Sequence, residues 1–304
     1  MYQARRHADN RFVPLRHLRY HVRTWGTPQP GVPPLVLVHG WMDVGASWQF
    51  VVDAMAEDRF VIAPDWRGFG LTEVPPTDQF WHADYLADLD FLLDALVPEG
   101  PVDLAGHSMG GNVAMLYAGV RPQRIRRLIN LEGFGMPAMR ADKAPQRHAQ
   151  WIDELKALER GDKALKHYAD VDGVARRLMR TNPRLTPDKA AWLAQHWARP
   201  VTLADGSTQW QILGHAAHKV IGAQVYRVEE ALAHFAAITA PVLVLEASDN
   251  EMERWWGGRY MLAEFHERLR AVPDCRRALV TDAAHMLHHD QPAQVAKLIE
   301  DFLR

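Results

Sequence analysis

The sequence predicts an α/β protein built on a mostly parallel, doubly wound sheet with a helical insertion in its second half. Three observations carry this. Short apolar runs rich in Val, Leu and Ile recur along the 304 residues, segments of helical periodicity lie between them, and the alternation stops between Met136 and about Ile238.

The runs are PLVLVHG (34–40), FVIAPD (60–65), PVDLAG (101–106), RRLINLEG (126–133), PVLVLEA (241–247) and RRALVTD (276–282). Most are apolar without strict alternation, as strands covered on both faces must be, whereas the earlier LRHLRYHVRTWG alternates and suits antiparallel edge strands. After Ser108, the residues Val113, Leu116, Tyr117 and Val120 repeat at three and four until Pro122 stops the helix. Val295, Leu298, Ile299, Phe302 and Leu303 do the same at the end of the chain.

Within the insertion, His148, Trp151, Ile152, Leu155 and Leu158 form one helical stripe. Thr186 and Pro187 read as a cap and first turn ahead of AAWLAQHW, and DGSTQW (205–210) is the clearest turn. No strand run of the earlier kind is evident here. Trp151, Trp192, Trp197 and Trp210 read as packed core rather than as a pocket lining. The expected organisation is a core of residues 1–135 and 239–304, with a helical cap, 136–238, inserted after the sixth strand.

Apolar residues at 48% and charged residues at 24% are enough to bury one large core. A net charge of −2 without long basic or acidic blocks argues against nucleic acid or an anionic membrane as partner, and favours a small-molecule substrate. The one cysteine, Cys275, has no internal disulfide partner. MYQARRHADNRF lacks the apolar core of a signal peptide, and no run approaches the ~20 apolar residues of a membrane span. A soluble, cytoplasmic protein is expected.

One stretch carries chemistry. In DLAGHSMGGNVAMLYA (103–118) a buried strand meets Ser108 and becomes an amphipathic helix. A free serine hydroxyl is a poor nucleophile, so a fold that uses one must expose it, supply a base and place donors where negative charge develops. A sharp strand-to-helix turn exposes it, and Gly106 and Gly110 lack the β-carbons that would collide there. The helix N-terminus that follows favours an oxyanion.

With these features the chain resembles the α/β-hydrolase family, in its capped esterase and C–C hydrolase branch, over roughly residues 35–303. HGW (39–41) matches the family's oxyanion loop, DWRGFG (65–70) follows the next strand, and HMLHHDQP (285–292) resembles its histidine loop. The resemblance implies an α/β-hydrolase fold with Ser108 as nucleophile, His285 as base, and the amides of Met109 and Trp41 as oxyanion donors. Trp41 and His39 would line the substrate pocket, His39 also buttressing the oxyanion loop. His107 is expected to pack away from the serine, and His288 and His289 to be surface or packing residues. Those two with His285 form no metal motif, and the chemistry requires neither metal nor cofactor.

The triad acid is open between two positions. Asp249 in LEASDN stands near the family's usual place, although Ala247 replaces the usual glycine and Asn250 falls where the aspartate would be. Glu132, at the end of LINLE, occupies the position used by related dehalogenases. Asp249 is preferred, because loop lengths vary more easily than an acid moves between strands. Asp65, Arg67 and the glycines of DWRGFG read as loop-holding residues, and His218 and Lys219 as solvated ones.

The expected activity is acyl transfer on a small to medium carboxylic ester. Its rivals are hydrolysis of a carbon–carbon bond in a β-diketone or ring-cleavage product and, from a different class, a non-catalytic hydrolase-like binding protein. Dehalogenase and epoxide hydrolase chemistry would need an aspartate where Ser108 stands.

Overall fold

Each apolar run becomes a strand. In the computed structural model, which describes residues 2–304, eight strands form one sheet: β1 (Asp9–Leu15), β2 (Leu18–Trp25), β3 (Leu35–Val38), β4 (Val61–Pro64), β5 (Val102–His107), β6 (Ile125–Leu131), and, beyond the insertion, β10 (Val242–Ala247) and β11 (Cys275–Val280). Their order is β1-β2-β4-β3-β5-β6-β10-β11. The β1–β2 and β2–β4 pairs are antiparallel and the rest parallel. The sheet is thus doubly wound with an antiparallel edge, as its patterning requires.

Strands β3, β4 and β5 are buried along their whole length, because helices cover both faces. One face packs the helices Met109–Val120 and His82–Leu96, and the other packs Gln49–Ala54 and Pro292–Leu303. The final helix buries Val295, Ile299, Phe302 and Leu303 on one stripe. These two layers hold the carboxyl ends of the parallel strands in register, and loops from those ends converge on one region.

The insertion corrects part of the sequence reading. Its helices Ala144–Glu159, Val171–Thr181, Pro187–Trp197 and Val228–Ala236 are accompanied by a second sheet of three antiparallel strands, β7 (His167–Tyr168), β8 (Ala198–Thr202) and β9 (Thr208–Ile212), with β9 in the middle. ARPVT and TQWQI are short and half polar, so no apolar run marks them. The expected DGSTQW turn closes the β8–β9 hairpin. The stripe on Ala144–Glu159 is also less buried than its periodicity suggests, since no residue of that helix is fully buried. Trp197 packs in a cluster that joins the insertion to Val44, Ala46 and Phe50 of the main core, with Trp192 and Trp210 against it. Trp151 donates to Gln79 Oε1 at 3.0 Å. Among the described residues, no helix is long and apolar enough to cross a membrane.

Candidate active site

Ser108 sits between β5 and the following helix at φ 52°, ψ −116°. That backbone is costly for a residue with a side chain, about 1–3 kcal/mol, and persists only where the surroundings enforce it. The surroundings are two glycines. A β-carbon on Gly106 would come within 2.4 Å of the Gly110 carbonyl oxygen, and one on Gly110 within 2.4 Å of the Val38 carbonyl oxygen. The Ser108 N–H donates to the Leu131 carbonyl at 2.8 Å, which ties the bend to the neighbouring strand.

The Ser108 hydroxyl lies 3.0 Å from His285 Nε2, and His285 Nδ1 lies 3.3 Å from Glu132 Oε2. These three side chains come from the ends of β5 and β6 and from the loop after β11. Glu132 is 2% exposed and also has positive φ, 54°, so the chain turns its carboxylate inward as β6 ends. Its other oxygen accepts from the Ala247 N–H at 2.8 Å. Such an array can pass a proton from hydroxyl to imidazole while the carboxylate steadies the ring.

The preference for Asp249 is corrected by this geometry. Its side chain is 53% exposed and pairs with Arg184, while Glu132 is the carboxylate at His285 Nδ1. The reason lies in strand order. β6 and β10 are neighbours, Leu131 opposite Leu245, so both acid positions end at the same edge of the site. The shortened loop after β10 brings Asn250, not Asp249, to the Glu132 carboxylate.

Burial dominates the electrostatics. It pushes Glu132 up to about 8, opposed by the Ala247 N–H and reinforced by Glu246, with Asn250 also opposing. It holds His285 down at about 4. The imidazole is therefore in its unprotonated, proton-accepting form at neutral pH.

The glycine loop runs beside the serine. A β-carbon on Gly40 would stand 3.2 Å from Ser108 Cβ and 3.0 Å from His107 Nδ1. The amides of Trp41 and Met109 donate to no backbone carbonyl of the described residues. Trp41 is 54% exposed. His39, in contrast, lines nothing: fully buried, it accepts from the Trp66 N–H at 2.9 Å and donates from Nδ1 to the Gly40 carbonyl at 2.7 Å. Its assignment to a pocket wall is corrected to the buttress of the loop, because both ring nitrogens are already engaged.

His107 is buried and its Nε2–H donates to the His285 carbonyl at 2.8 Å. Asp65 is the loop-holder expected: its oxygens accept from Gly45 N, Leu71 N and His21 Nδ1. Arg67 makes a two-pronged pair with buried Asp88 at 2.6 and 2.7 Å. His218 is not solvated. It is stacked between Phe69 and Phe80, at 3.7 and 4.0 Å, and donates to the Arg67 carbonyl. Lys219 is exposed, as expected. His288 and His289 are fully buried. Sequence reasoning missed Trp255, which packs edge-on to His285 at 4.4 Å between centroids. Its only signal was the adjacent aromatic pair Trp255 and Trp256, just past the acid loop.

The fold is that of a hydrolase class with a strand–serine–helix bend. A family model described as the alpha/beta hydrolase fold matches residues 33–292, and the chain belongs to that family. It is similar to a serine hydrolase-like protein of Danio rerio, 26% identical over 298 residues, covering 96% of this chain and 86% of that protein. A 2-hydroxymuconate semialdehyde hydrolase of Pseudomonas sp. (strain CF600) is 37% identical over 106 residues, but the match spans only 34% of this chain and 37% of that protein. Among solved structures, a thioesterase domain from the curacin biosynthetic pathway superposes with a TM-score of 0.80 at 23% identity, covering 97% of this chain and 99% of that one. At that identity the likeness is one of fold.

Proposed function

We propose that the chain is a serine hydrolase that works by acyl transfer through Ser108, His285 and Glu132 on a small to medium carboxylic ester. The observation that supports this best is the 3.0 Å approach of the Ser108 hydroxyl to His285 Nε2 at an enforced backbone bend. In this reading His285 takes the Ser108 proton as the oxygen bonds to the ester carbonyl carbon. The carbonyl electrons move onto oxygen, where the amides of Met109 and Trp41 stabilise them. Collapse expels the alcohol, which takes its proton from His285. Water, deprotonated by the same imidazole, then releases the acid and restores Ser108.

Glu132 keeps the Nδ1–H tautomer and offsets the positive charge that forms on the ring. Residues 136–238 are the cap that selects the substrate, and Trp41 and Trp255 give its entrance an apolar lining. A fluorophosphonate probe tests the reading. It should label Ser108, lose all labelling in Ser108→Ala and most of it in His285→Ala. An unlabelled wild type would instead support a binding protein.

The similarity to a 2-hydroxymuconate semialdehyde hydrolase favours a second reading, cleavage of a carbon–carbon bond next to a carbonyl. The same serine, base and oxyanion donors would serve it. An acyl-ester series run beside a ring-cleavage product separates the two by which substrate gives the higher kcat/KM.

A further inference from the structure

Behind the serine site lies a second cluster that the hydrolytic chemistry does not use. Asp43, His288 and His289 are fully buried, and one donor atom from each lies within 4.8 Å of the others. We propose that these three residues form a binding site for a divalent transition-metal ion of the zinc type, separate from Ser108.

Three features of the cluster support this. The first is unmet hydrogen bonding. Asp43 Oδ2, both ring nitrogens of His288 and Nε2 of His289 are buried without a hydrogen-bond partner among the described residues. Leaving a buried polar atom unpaired costs about 1–3 kcal/mol, so a group of four in one place calls for a common ligand. The second is spacing. His288 Nε2 stands 3.7 Å from Asp43 Oδ2, too long for a hydrogen bond. It is close to the edge of a tetrahedron with bonds of about 2.0 Å, roughly 3.3 Å. Two imidazole nitrogens and one carboxylate oxygen are a donor set that suits zinc, and a fourth position remains for water.

The third feature is orientation. Asp43 Oδ1 accepts from Val44 N and Trp197 Nε1, each at 2.9 Å, and from the Ser47 hydroxyl. Those bonds turn Oδ2 toward the histidines, as outer partners do around metal ligands. Trp48 lies against His288 and Phe50 against His289, giving the cluster an apolar jacket. The nearby Lys189 ammonium donates to the His289 carbonyl at 3.2 Å and is held off the ring nitrogens. No sequence motif announces the site, because Asp43 follows β3 while the histidines follow β11.

The ion would also brace the catalytic loop. His107 packs at a tilt against His288, 4.3 Å between ring centroids, and holds the His285 carbonyl, and Trp197 brings in the insertion. The site is closed, so loading is tested during folding as well as after it. The full chain is produced with zinc in the medium, purified without chelator, and assayed for metal. A second sample is refolded with Zn2+ or Co2+.

The expected result is stoichiometric zinc, the intense visible bands of four-coordinate Co2+, and a thermal midpoint raised over the metal-free refolded protein. His289→Gln and Asp43→Asn should each lose the metal. If either variant fails to fold, X-ray absorption on the zinc-loaded wild type replaces it, with an inner shell of two imidazoles and light oxygen donors expected. Wild type with trace metal, no cobalt bands and an unmoved midpoint would overturn the proposal and leave the cluster to a bound water. So would full metal retention in both folded variants, or a shell containing more imidazoles or sulfur.

Discussion

Single residues decide the proposed chemistry. Glu132→Gln should lower kcat by about 10³–10⁴-fold, the scale seen when a triad acid becomes an amide. Asp249→Asn should leave kcat nearly unchanged, since its side chain is half exposed and paired with Arg184. Steady-state kinetics on one ester compares them, and equal losses would reassign the acid. The pH profile follows from burial. Glu132 is raised to about 8 and His285 is lowered to about 4. As pH rises through about 8 the carboxyl ionises, Nδ1–H gains an anionic acceptor, and Nε2 faces the serine with its lone pair. The kcat/KM of the wild type should therefore climb toward pH 8, and Glu132→Gln should lack that limb. The proposed nucleophile and base were legible in sequence as candidates, because Ser108 is fenced by glycines and His285 falls at loop distance from the last strand. The acid was not: Asn250 signalled its displacement, but only strand adjacency shows where the displaced role can go.

At the scale of elements, the bend after β5 is a contact between backbones. Gly110→Ala would force a β-carbon to 2.4 Å from the Val38 carbonyl. Overpacking of this kind costs about 1–3 kcal/mol. Thermal unfolding should register that loss, and turnover should fall further than stability alone explains, because the helix carrying the Met109 amide must shift. The same scale shows where periodicity misleads. The stripe from His148 to Leu158 is truly helical but stays partly wet, and β8 and β9 pair although their sequences are half polar. In both, neighbours distant in sequence set the burial or pairing, against what pattern alone suggested.

For the whole molecule, the join between core and insertion is sensitive to acid. His218, stacked between Phe69 and Phe80, is held at about 3 by burial, and His196, bonded to buried Arg23, at about 4. Histidines lowered on folding leave stability untouched above about pH 6.5, where folded and unfolded chains are both neutral. Below it the unfolded chain takes up protons that the folded one refuses. Stability contributed by these groups should fall from about pH 6.5 toward 4, as urea unfolding across that range would measure. His218→Gln should flatten part of the slope.

Local properties were sufficient to determine the strands, the helices around them and the bend at Ser108, because side-chain period and glycine spacing act over a few neighbours. Burial of β3, β4 and β5 on both faces could be read in the same way from their largely apolar runs. Only the tertiary structure decided which carboxylate meets His285, that His39 is a buried support and His218 a stacked, half-buried one, and that Asp43 faces His288 and His289. Those outcomes depend on which strand ends lie side by side and how far each side chain is withdrawn from water, and both are properties of the closed sheet.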